Sequence, residues 1–568
     1  MKTRSGNRGQ VTRSNGSSNL PPVFITGPLF LILMVGGLIL SGFKSESVEG
    51  WLGRIPVQSG GRVKPYESFA REALLSVTGK ASLGGQSAVP VVWSWVASPE
   101  AWYTKSFLAV RHAGLRKEFS LMVINGKISP ELVLTHPPSQ GKAEEPLTLL
   151  EKKRLELYDQ ARLFQAVAQG TLPGFFPRPE DPRAGWIPLA GLADLETRAV
   201  LEEEYGPSQV AAVQAAFRNL VQALRQGEAP PAEDAARKFA DALDTFRKSR
   251  DVWLDPTRIN LELFYQKIQP FRWAWIFYLA SFLLWFVWRG KLAPLTLGLF
   301  GLGFFFHTLG FGLRCIVAGR PPVSNMYESI IWVAWAVAVF SIVLGSVYRK
   351  SFLLAVSSGV AAFALLIGES FPAVLDPSLS PLVPVLRNNY WLTVHVLTIT
   401  LSYGAFALAW GLAHASLLSF AFRPDRHEEH EVLATYVYRA LQIGVVLLAS
   451  GTILGGVWAN DSWGRFWGWD PKETWALIAL LGYLVVLHGR FARWLGDFGT
   501  ALGSALAFLG VLMAWYGVNF VLAAGLHSYG FGGGGLPYVL AAVLADLVFI
   551  SFLAFRYNKN RFRSALSK

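Results

Sequence analysis

The chain has 568 residues, of which 52% are hydrophobic and only 16% charged, a composition too apolar for a soluble protein of this length. A net charge of +13 would suit a nucleic-acid partner. In so apolar a chain it indicates instead cytoplasmic loops enriched in Lys and Arg, and we expect no nucleic acid. The single cysteine, Cys315, excludes a disulfide framework, a thiolate zinc site and a CxxC pair. Without a CxxCH motif, the chain carries no c-type haem of its own.

The N-terminal region predicts a membrane anchor followed by a soluble domain. Residues 1–21 are basic and polar and predict a cytoplasmic tail. The apolar residues 22–42 lack a small-residue cleavage site, which favours an uncleaved anchor over a signal peptide. Residues 43–271 contain no apolar run of membrane length, and their amphipathic stretches predict a mostly α-helical domain inserted after the first helix.

Residues 272–556 predict a multi-helix membrane domain, followed by a cytoplasmic tail over 557–568. Apolar runs able to cross a hydrocarbon core of roughly 30 Å lie near 272–289, 293–314, 328–348, 351–368, 391–421, 434–457, 473–489, 499–520 and 537–555. With the anchor they make about ten transmembrane helices, so the predicted fold class is a polytopic α-helical membrane protein. Lys and Arg are in excess on the side that is inside when the N-terminus is cytoplasmic, which predicts both termini inside and the soluble domain outside.

The segment over residues 458–478 contains five tryptophans between two apolar runs. An aromatic belt at the membrane interface explains two or three of them, whereas five interleaved with Asp and Gly favour a surface for a large flat ligand. His395 and His527 fall on the same predicted outer side. Because neutral imidazoles are good axial ligands of haem iron, this face is a candidate haem site. A hydrogen-bonded structural histidine is the alternative for each.

Other polar residues could complete such a site. Arginines on the predicted outer side are candidate partners for haem propionates, namely Arg314, Arg320, Arg387 and Arg465. Salt bridges with Glu328, Asp376 or Asp461 are the alternative. Intramembrane histidines are functional candidates by default, and His307, His414 and His488 therefore suggest a second, inner haem position. For His307 and His414 a helix-to-helix hydrogen bond is an equal alternative.

The stretch "WGRFWGWDPKETWALI" closely resembles the tryptophan-rich WWD signature of haem-handling proteins of cytochrome c maturation, in the form of the CcsA (ResC) branch of system II. "GRPPVSNMYESI", "NNYWLTVHVLTITLSYGAFALA" and "NFVLAAGLHSYG" resemble other segments of that family, and the resemblance covers about residues 295–556. "RIPVQSGGRVKPYESFARE" is similar to a segment of fused synthases in which a CcsB (ResB) part precedes CcsA. The soluble domain is short for a complete CcsB, so the resemblance implies a fused synthase with a reduced CcsB part.

The resemblance implies roles for the segment over 457–473, named here the WWD loop. Its platform for haem b would be formed by Trp463, Trp467, Trp469 and Asp470. Asp470 is expected to orient the loop rather than to act as a general base.

The resemblance also implies roles for three histidines. His395 and His527 would be the axial iron ligands at the outer face, and His488 would help bind haem arriving from the inner side. The second inner ligand stays open between His307, His414 and another chain, because the predicted anchor contains no histidine.

The implied activity is that of a holocytochrome c synthase in a bacterial inner membrane. Haem would be exported and presented outside, where its vinyl groups react with the CxxCH thiols of apocytochrome c. Because the substrate supplies the thiols, the enzyme needs position rather than a nucleophile. A ResB/CcsB-like subunit and a thiol-reducing protein are further candidate partners. A b-type electron-transfer subunit and a haem chaperone without ligation activity remain as alternatives.

Overall fold

The structure is a computed structural model that contains a soluble domain and a helical membrane bundle. It describes residues 47–120, 122–138, 148–178, 181, 184–249, 255–288, 290–372, 374–382, 389–522 and 535–566. Four predictions lie outside the described residues and stay predictions: the N-terminal tail over 1–21, the anchor over 22–42, Arg387 and His527.

The soluble domain surrounds a small antiparallel sheet with helices. Its helices are α1 Val48–Gly53, α2 Tyr66–Thr78, α3 Ala88–Ala97, α4 Pro99–Tyr103, α5 Ala113–Glu118, α6 Pro130–Leu134, α7 Leu149–Ala168, α8 Leu195–Tyr205, α9 Pro207–Gln226 and α10 Ala229–Lys248. Its strands are β1 Pro56–Ser59, β2 Arg62–Pro65, β3 Leu108–Ala109, β4 Lys127–Ile128, β5 Gly174–Phe176 and β6 Ile187–Pro188. The larger sheet has the order β2-β1-β5-β6, and β3 pairs with β4.

Local sequence explains the main elements of this domain. Gly60 and Gly61 both adopt positive φ between β1 and β2, as a two-residue hairpin turn requires. Helix α7 begins with a reciprocal capping box between Thr148 and Glu151. The core includes Trp93 and Trp95, both fully buried, and burial of a large apolar side chain stabilises a fold by roughly 1.5–3 kcal/mol. The domain is mostly helical, as predicted, and its sheet was not foreseen because the strands have only two to four residues.

The membrane bundle accounts for the apolar runs. Its helices are α11 Pro256–Ile268, α12 Pro270–Trp288, α13 Ala293–Ala318, α14 Met326–Tyr348, α15 Phe352–Ser370, α16 Asn389–Trp391, α17 Leu397–Phe422, α18 His427–Trp463, α19 Pro471–Phe491, α20 Asp497–Leu512 and α21 Leu536–Leu566. Within the described residues, nine helices are long and apolar enough to cross a membrane, and the chain is a polytopic α-helical membrane protein. Helix α17 lies at the centre of the bundle, since 67% of its most apolar stretch is buried, against 11% for α21.

The WWD loop is shorter than its predicted span. Helix α18 continues past residue 457 and ends only at Trp463, where Gly464 adopts φ 68° and donates its N–H to the Asn460 carbonyl. Glycine favours this left-handed C-terminal position, and no earlier residue in the loop offers it. The non-helical part therefore spans 464–470, and the first residues of the predicted loop are helical.

The soluble domain is attached to one end of the bundle, which we call the proximal end. Arg62 donates two hydrogen bonds of 2.7 Å to the Glu262 carboxylate and one of 2.6 Å to the Leu379 carbonyl. Glu262 belongs to α11, which leads into α12, and Leu379 follows α15. Because successive helices alternate in direction, the WWD loop and the starts of α14 and α19 also lie at the proximal end.

Candidate functional site

The two acids of the WWD loop fix its backbone. Helix α19 begins with a capping box in which an Asp470 oxygen accepts the Lys472 N–H at 3.0 Å. Glu473 accepts the Gly468 N–H at 2.8 Å and the Asp470 N–H at 3.2 Å. Asp470 is only 6% exposed. These bonds satisfy backbone N–H groups at the start of α19, and the role of Asp470 in orienting the loop for haem stays a prediction.

The aromatic side chains of the segment divide into a buried wall and an exposed shelf. Trp458 is 5% exposed, whereas Trp469 is 70% exposed and meets Trp467 edge to face at 5.8 Å. Trp463 is half-buried, with the Arg465 guanidinium 5.8 Å above its ring. Of the four platform residues predicted from the sequence, Trp467 lines the cavity described below, and Trp463, Trp469 and Asp470 do not.

A cavity lies beneath this loop at the proximal end. The cavity is partly open and has a volume of about 150 Å³, which is below the roughly 300–1,000 Å³ of cofactor pockets. A macrocycle would therefore fill it and extend into its open mouth. Most of its walls are apolar or aromatic. The lining residues with large apolar or aromatic side chains include Met326, Val396, Ile399, Tyr403, Trp458, Phe466, Trp467 and Trp515. Such walls suit a flat, apolar macrocycle.

His395 lies in the wall of this cavity in a defined orientation. Its Nδ1 lies 2.8 Å from the Gly451 carbonyl oxygen, and its ring centre is 5.7 Å from that of Trp458. A carbonyl partner requires a proton on Nδ1, so in the neutral ring the lone pair is on Nε2, as in histidines that bind metals. A Cβ on Gly455 would lie 2.6 Å from the ring, so glycine is needed there for the histidine to pack.

Two wide helical turns carry residues of the cavity. Residues Leu392–Val396 and Met513–Leu522 have hydrogen bonds from residue i+5 to residue i. The first turn carries His395, and the second carries Trp515 and Asn519. Such turns are rare and occur often at functional sites. Sequence reasoning missed Trp515 and Asn519, because hydrophobic periodicity does not distinguish a wide turn from an α-helix.

Arg314 and Arg320, predicted to bind propionates, are instead bound to Glu328. Arg314 Nη2 lies 2.7 Å from one carboxylate oxygen of Glu328, and Arg320 Nη1 lies 2.9 Å from the other. Arg314 and Glu328 are fully buried, and Arg320 is 7% exposed. The arginines also donate to the carbonyls of Pro377 and Ser380. The alternative salt bridge to Glu328 is thus present, and neither arginine lines the cavity, so their role as propionate partners stays a prediction.

His307 is likewise engaged elsewhere. It is fully buried, with Nε2 at 3.0 Å from the Ile331 carbonyl and Nδ1 at 3.5 Å from the Tyr278 hydroxyl. Both ring nitrogens therefore serve contacts between helices, and the structure does not bring His307 to the cavity. His414 makes one contact between helices, from Nε2 to an Asp546 oxygen at 2.8 Å, while its Nδ1 lies 2.9 Å from the Trp410 carbonyl of its own helix.

His488 is placed differently. It is exposed on α19, with Nδ1 at 2.8 Å from the Leu484 carbonyl, an arrangement that again puts the lone pair on Nε2. It lies near the end of α19 opposite the WWD loop, as predicted. His527 lies outside the described residues. Within the part of the chain that the structure describes, no group of three or more His, Cys, Asp and Glu side chains could hold a bare metal ion.

The residues that line this cavity lie within the segment matched by a known protein family. The sequence model of a family described as "Cytochrome C assembly protein" matches residues 323–527. Protein NrfI of Wolinella succinogenes is 30% identical over 579 residues, which cover 92% of this chain and 59% of that protein. The cytochrome c biogenesis protein CcsA of Prochlorococcus marinus subsp. pastoris is 35% identical over 38% of this chain and 77% of its own length. CcsA of Guillardia theta is 35% identical over 39% of this chain and 81% of its own length.

Proposed function

We propose, from the premise that this chain belongs to the CcsA family of cytochrome c assembly proteins, that its proximal cavity presents haem b for covalent attachment to apocytochrome c. The family assigns the chain to cytochrome c biogenesis. The proposal of haem presentation depends on the orientation of His395 in the wall of the aromatic cavity. Its Nδ1 contact with the Gly451 carbonyl leaves the lone pair on Nε2, the nitrogen that would bind iron.

In this proposal the residues of the chain position the substrate. His395 and His527 are the two axial ligands, and Trp458 and Trp467 pack on the macrocycle. The exposed Trp469 and Phe466 form the edge where an apocytochrome peptide approaches. Pre-organised placement of two reactants is a large source of rate enhancement, and here it replaces an enzymatic nucleophile.

The bond changes balance without a protein-derived reagent. Each cysteine S–H of the CxxCH motif adds across one vinyl C=C of haem. A C–S and a C–H bond form, while the S–H bond and the vinyl π bond break, so no electron acceptor and no leaving group are needed. The histidine of the CxxCH motif then replaces one axial histidine, and the product leaves.

The proposed setting is a bacterial inner membrane with both termini inside and the cavity at the outer face. Haem would arrive from the inner side past His488, whose Nε2 is the ligating nitrogen by its tautomer. A ResB/CcsB-like subunit and a thiol-reducing protein are proposed partners.

The test is covalent haem attachment in a bacterial host without its own maturation system. The chain is expressed beside an exported CxxCH apocytochrome, and denatured cytochrome is stained for covalent haem. We expect a stained band that is lost when the two cysteines of the CxxCH motif, or His395 of this chain, are replaced. Purified chain that retains haem but yields no band would reject attachment by this chain alone and favour the chaperone alternative or a missing subunit.

The matched control compares two histidines. His395→Ala is expected to shift the absorption spectrum of bound haem with little loss of thermal stability. His307→Ala is expected to lower the thermal stability and leave the spectrum unchanged, because the change breaks contacts with Tyr278 and Ile331 and His307 does not line the cavity. An unchanged spectrum in His395→Ala would reject the assignment of this ligand.

A further inference from the structure

A cavity that takes haem must also accommodate the two propionate carboxylates of that molecule. An unpaired carboxylate is costly to bury in an apolar environment, so a cation in the wall is expected. Arg314 and Arg320 are not in this wall. Among the described residues that line the cavity, two have acidic or strongly basic side chains, Lys472 and Glu473.

Glu473 is already engaged with the loop. Its carboxylate accepts two backbone N–H groups, from Gly468 and Asp470, and lies 3.9 Å from Arg465. The carboxylate of Asp470 accepts the backbone N–H of Lys472. Both acids of the loop thus serve the helix N-terminus, and the lysine is the residue in the wall whose charge suits a carboxylate ligand.

The Lys472 ammonium contacts a neutral amide, and the nearby Asp470 carboxylate favours its charge. Its Nζ lies 3.5 Å from the Oδ1 atom of Asn519, in the wide turn opposite. Asn519 is 3% exposed, and its Nδ2 donates to the Trp515 carbonyl at 2.8 Å and contacts the Met326 sulfur at 3.3 Å. Because these contacts fix the amide, its oxygen points to the lysine and holds the ammonium at the cavity wall.

The position of Lys472 breaks a local rule. A cation in the first turn of a helix opposes the helix dipole, and the first turn of α19 contains Lys472. Residues that break a local preference without a compensating gain in the fold are concentrated at functional sites. The backbone N–H of Lys472 takes part in the cap, but its side-chain cation does not belong to the capping box.

We propose that Lys472, positioned by Asn519, is the carboxylate subsite of the cavity and pairs with a propionate of haem. This inference rests on the proposed function and adds the group that orients the macrocycle edge. It also replaces Arg314 and Arg320 in the role that the sequence suggested for them. A fixed propionate would set which edge of the macrocycle, and hence which vinyl groups, faces the WWD loop.

The test uses haem and its dimethyl ester, in which both carboxylates are blocked. Purified haem-free chain, Lys472→Gln and Lys472→Arg are titrated with each form, and binding is followed by the Soret absorption. A charge-assisted hydrogen bond predicts that Lys472→Gln weakens haem binding about tenfold or more and leaves dimethyl ester binding unchanged. Lys472→Arg is expected to retain most of the haem affinity, and Lys350→Gln, at the other end of the bundle, serves as the matched control.

A second variant protects the test from a folding artefact. Asn519→Asp places a carboxylate beside the ammonium and is expected to weaken haem binding selectively, again without effect on the ester. Equal losses for both ligands would overturn the subsite and indicate a general change of cavity shape, and no loss in Lys472→Gln would overturn it as well. Wild-type chain that binds neither ligand would overturn the proposed function, an outcome distinct from failure of the subsite alone.

Discussion

The charged cluster of Arg314, Glu328 and Arg320 and the cavity beside His395 lie at the same end of the bundle, yet their chemistry is opposite. In the cluster, one buried carboxylate receives two guanidinium groups, and carbonyls take further donors. In the cavity, the walls are mostly apolar, and a histidine is oriented by a carbonyl behind it. The charges of the first arrangement are paired within the protein, although the buried Arg314 Nε has no hydrogen-bond partner among the described residues, whereas the second arrangement is the proposed ligand site.

The two regions share a wall. Ser324 donates its N–H and hydroxyl to Glu328, and Asn325 accepts the Glu328 N–H, while both residues also line the cavity. The cluster of paired charges therefore fixes one side of the proposed ligand site. The difference teaches that residue type and predicted side of the membrane do not distinguish a structural arginine from a ligand-binding one. The role of an arginine depends on the partners that it meets across the helix interface.

The largest effect is expected from breaking the cluster. Glu328→Gln removes the only negative charge between two buried arginines, and removal of one partner from a buried ion pair costs about 3–5 kcal/mol. We expect a large fall in the melting temperature of the purified chain in detergent, measured by intrinsic fluorescence.

The control for Glu328 is an exposed ion pair of the soluble domain. Asp234 lies within 2.7 Å of Arg237 and Lys238 on the surface of α10. Asp234→Asn should leave the melting temperature unchanged, because solvent screens exposed pairs. Equal melting temperatures for wild type and Glu328→Gln would contradict a structural role for the cluster.

A smaller and more local effect is expected from crowding His395. Gly455→Ala adds a Cβ at 2.6 Å from the imidazole, so the ring must move from its contact with Gly451. We expect haem affinity to fall about tenfold, which corresponds to about 1.4 kcal/mol, with the fold retained. Titration followed by absorption spectroscopy measures the change.

A second glycine serves as the control for Gly455. Gly312 lies on α13, and a Cβ there meets nothing within 4 Å. Gly312→Ala should leave both the affinity and the spectrum of haem unchanged. If Gly455→Ala binds haem like wild type, the packing of His395 against α18 does not determine how His395 binds the iron.

Much of this architecture could be predicted from sequence because the bilayer imposes long apolar helices, and the runs of residues 272–556 have that length. The WWD loop was predictable from its tryptophans. The fates of Arg314 and His307 were not, since their partners, Glu328 and Ile331, lie on another helix and only packing brings them together. The wide turn that carries Asn519 was hidden by its uniform hydrophobicity, and with it the setting of Lys472.

The smallest effect distinguishes a helix cap from a catalytic base at Asp470. Serine caps helices nearly as well as aspartate but is not a base at neutral pH. Alanine can neither cap a helix nor act as a base, and loss of a cap costs about 1 kcal/mol. If Asp470 acts through its bond to the Lys472 N–H, Asp470→Ser should attach haem almost like wild type and Asp470→Ala should attach less. Stained cytochrome per unit of membrane-inserted chain measures both. Equal loss in the two variants would make the carboxylate itself necessary and would move Asp470 from the structural set to the reactive one. Near-normal haem attachment by Asp470→Ser would instead show the same division of roles within the WWD loop. Its hydrogen-bonded polar groups would then hold the backbone, and the proposed contacts with the ligand would come from the aromatic surface, His395 and Lys472.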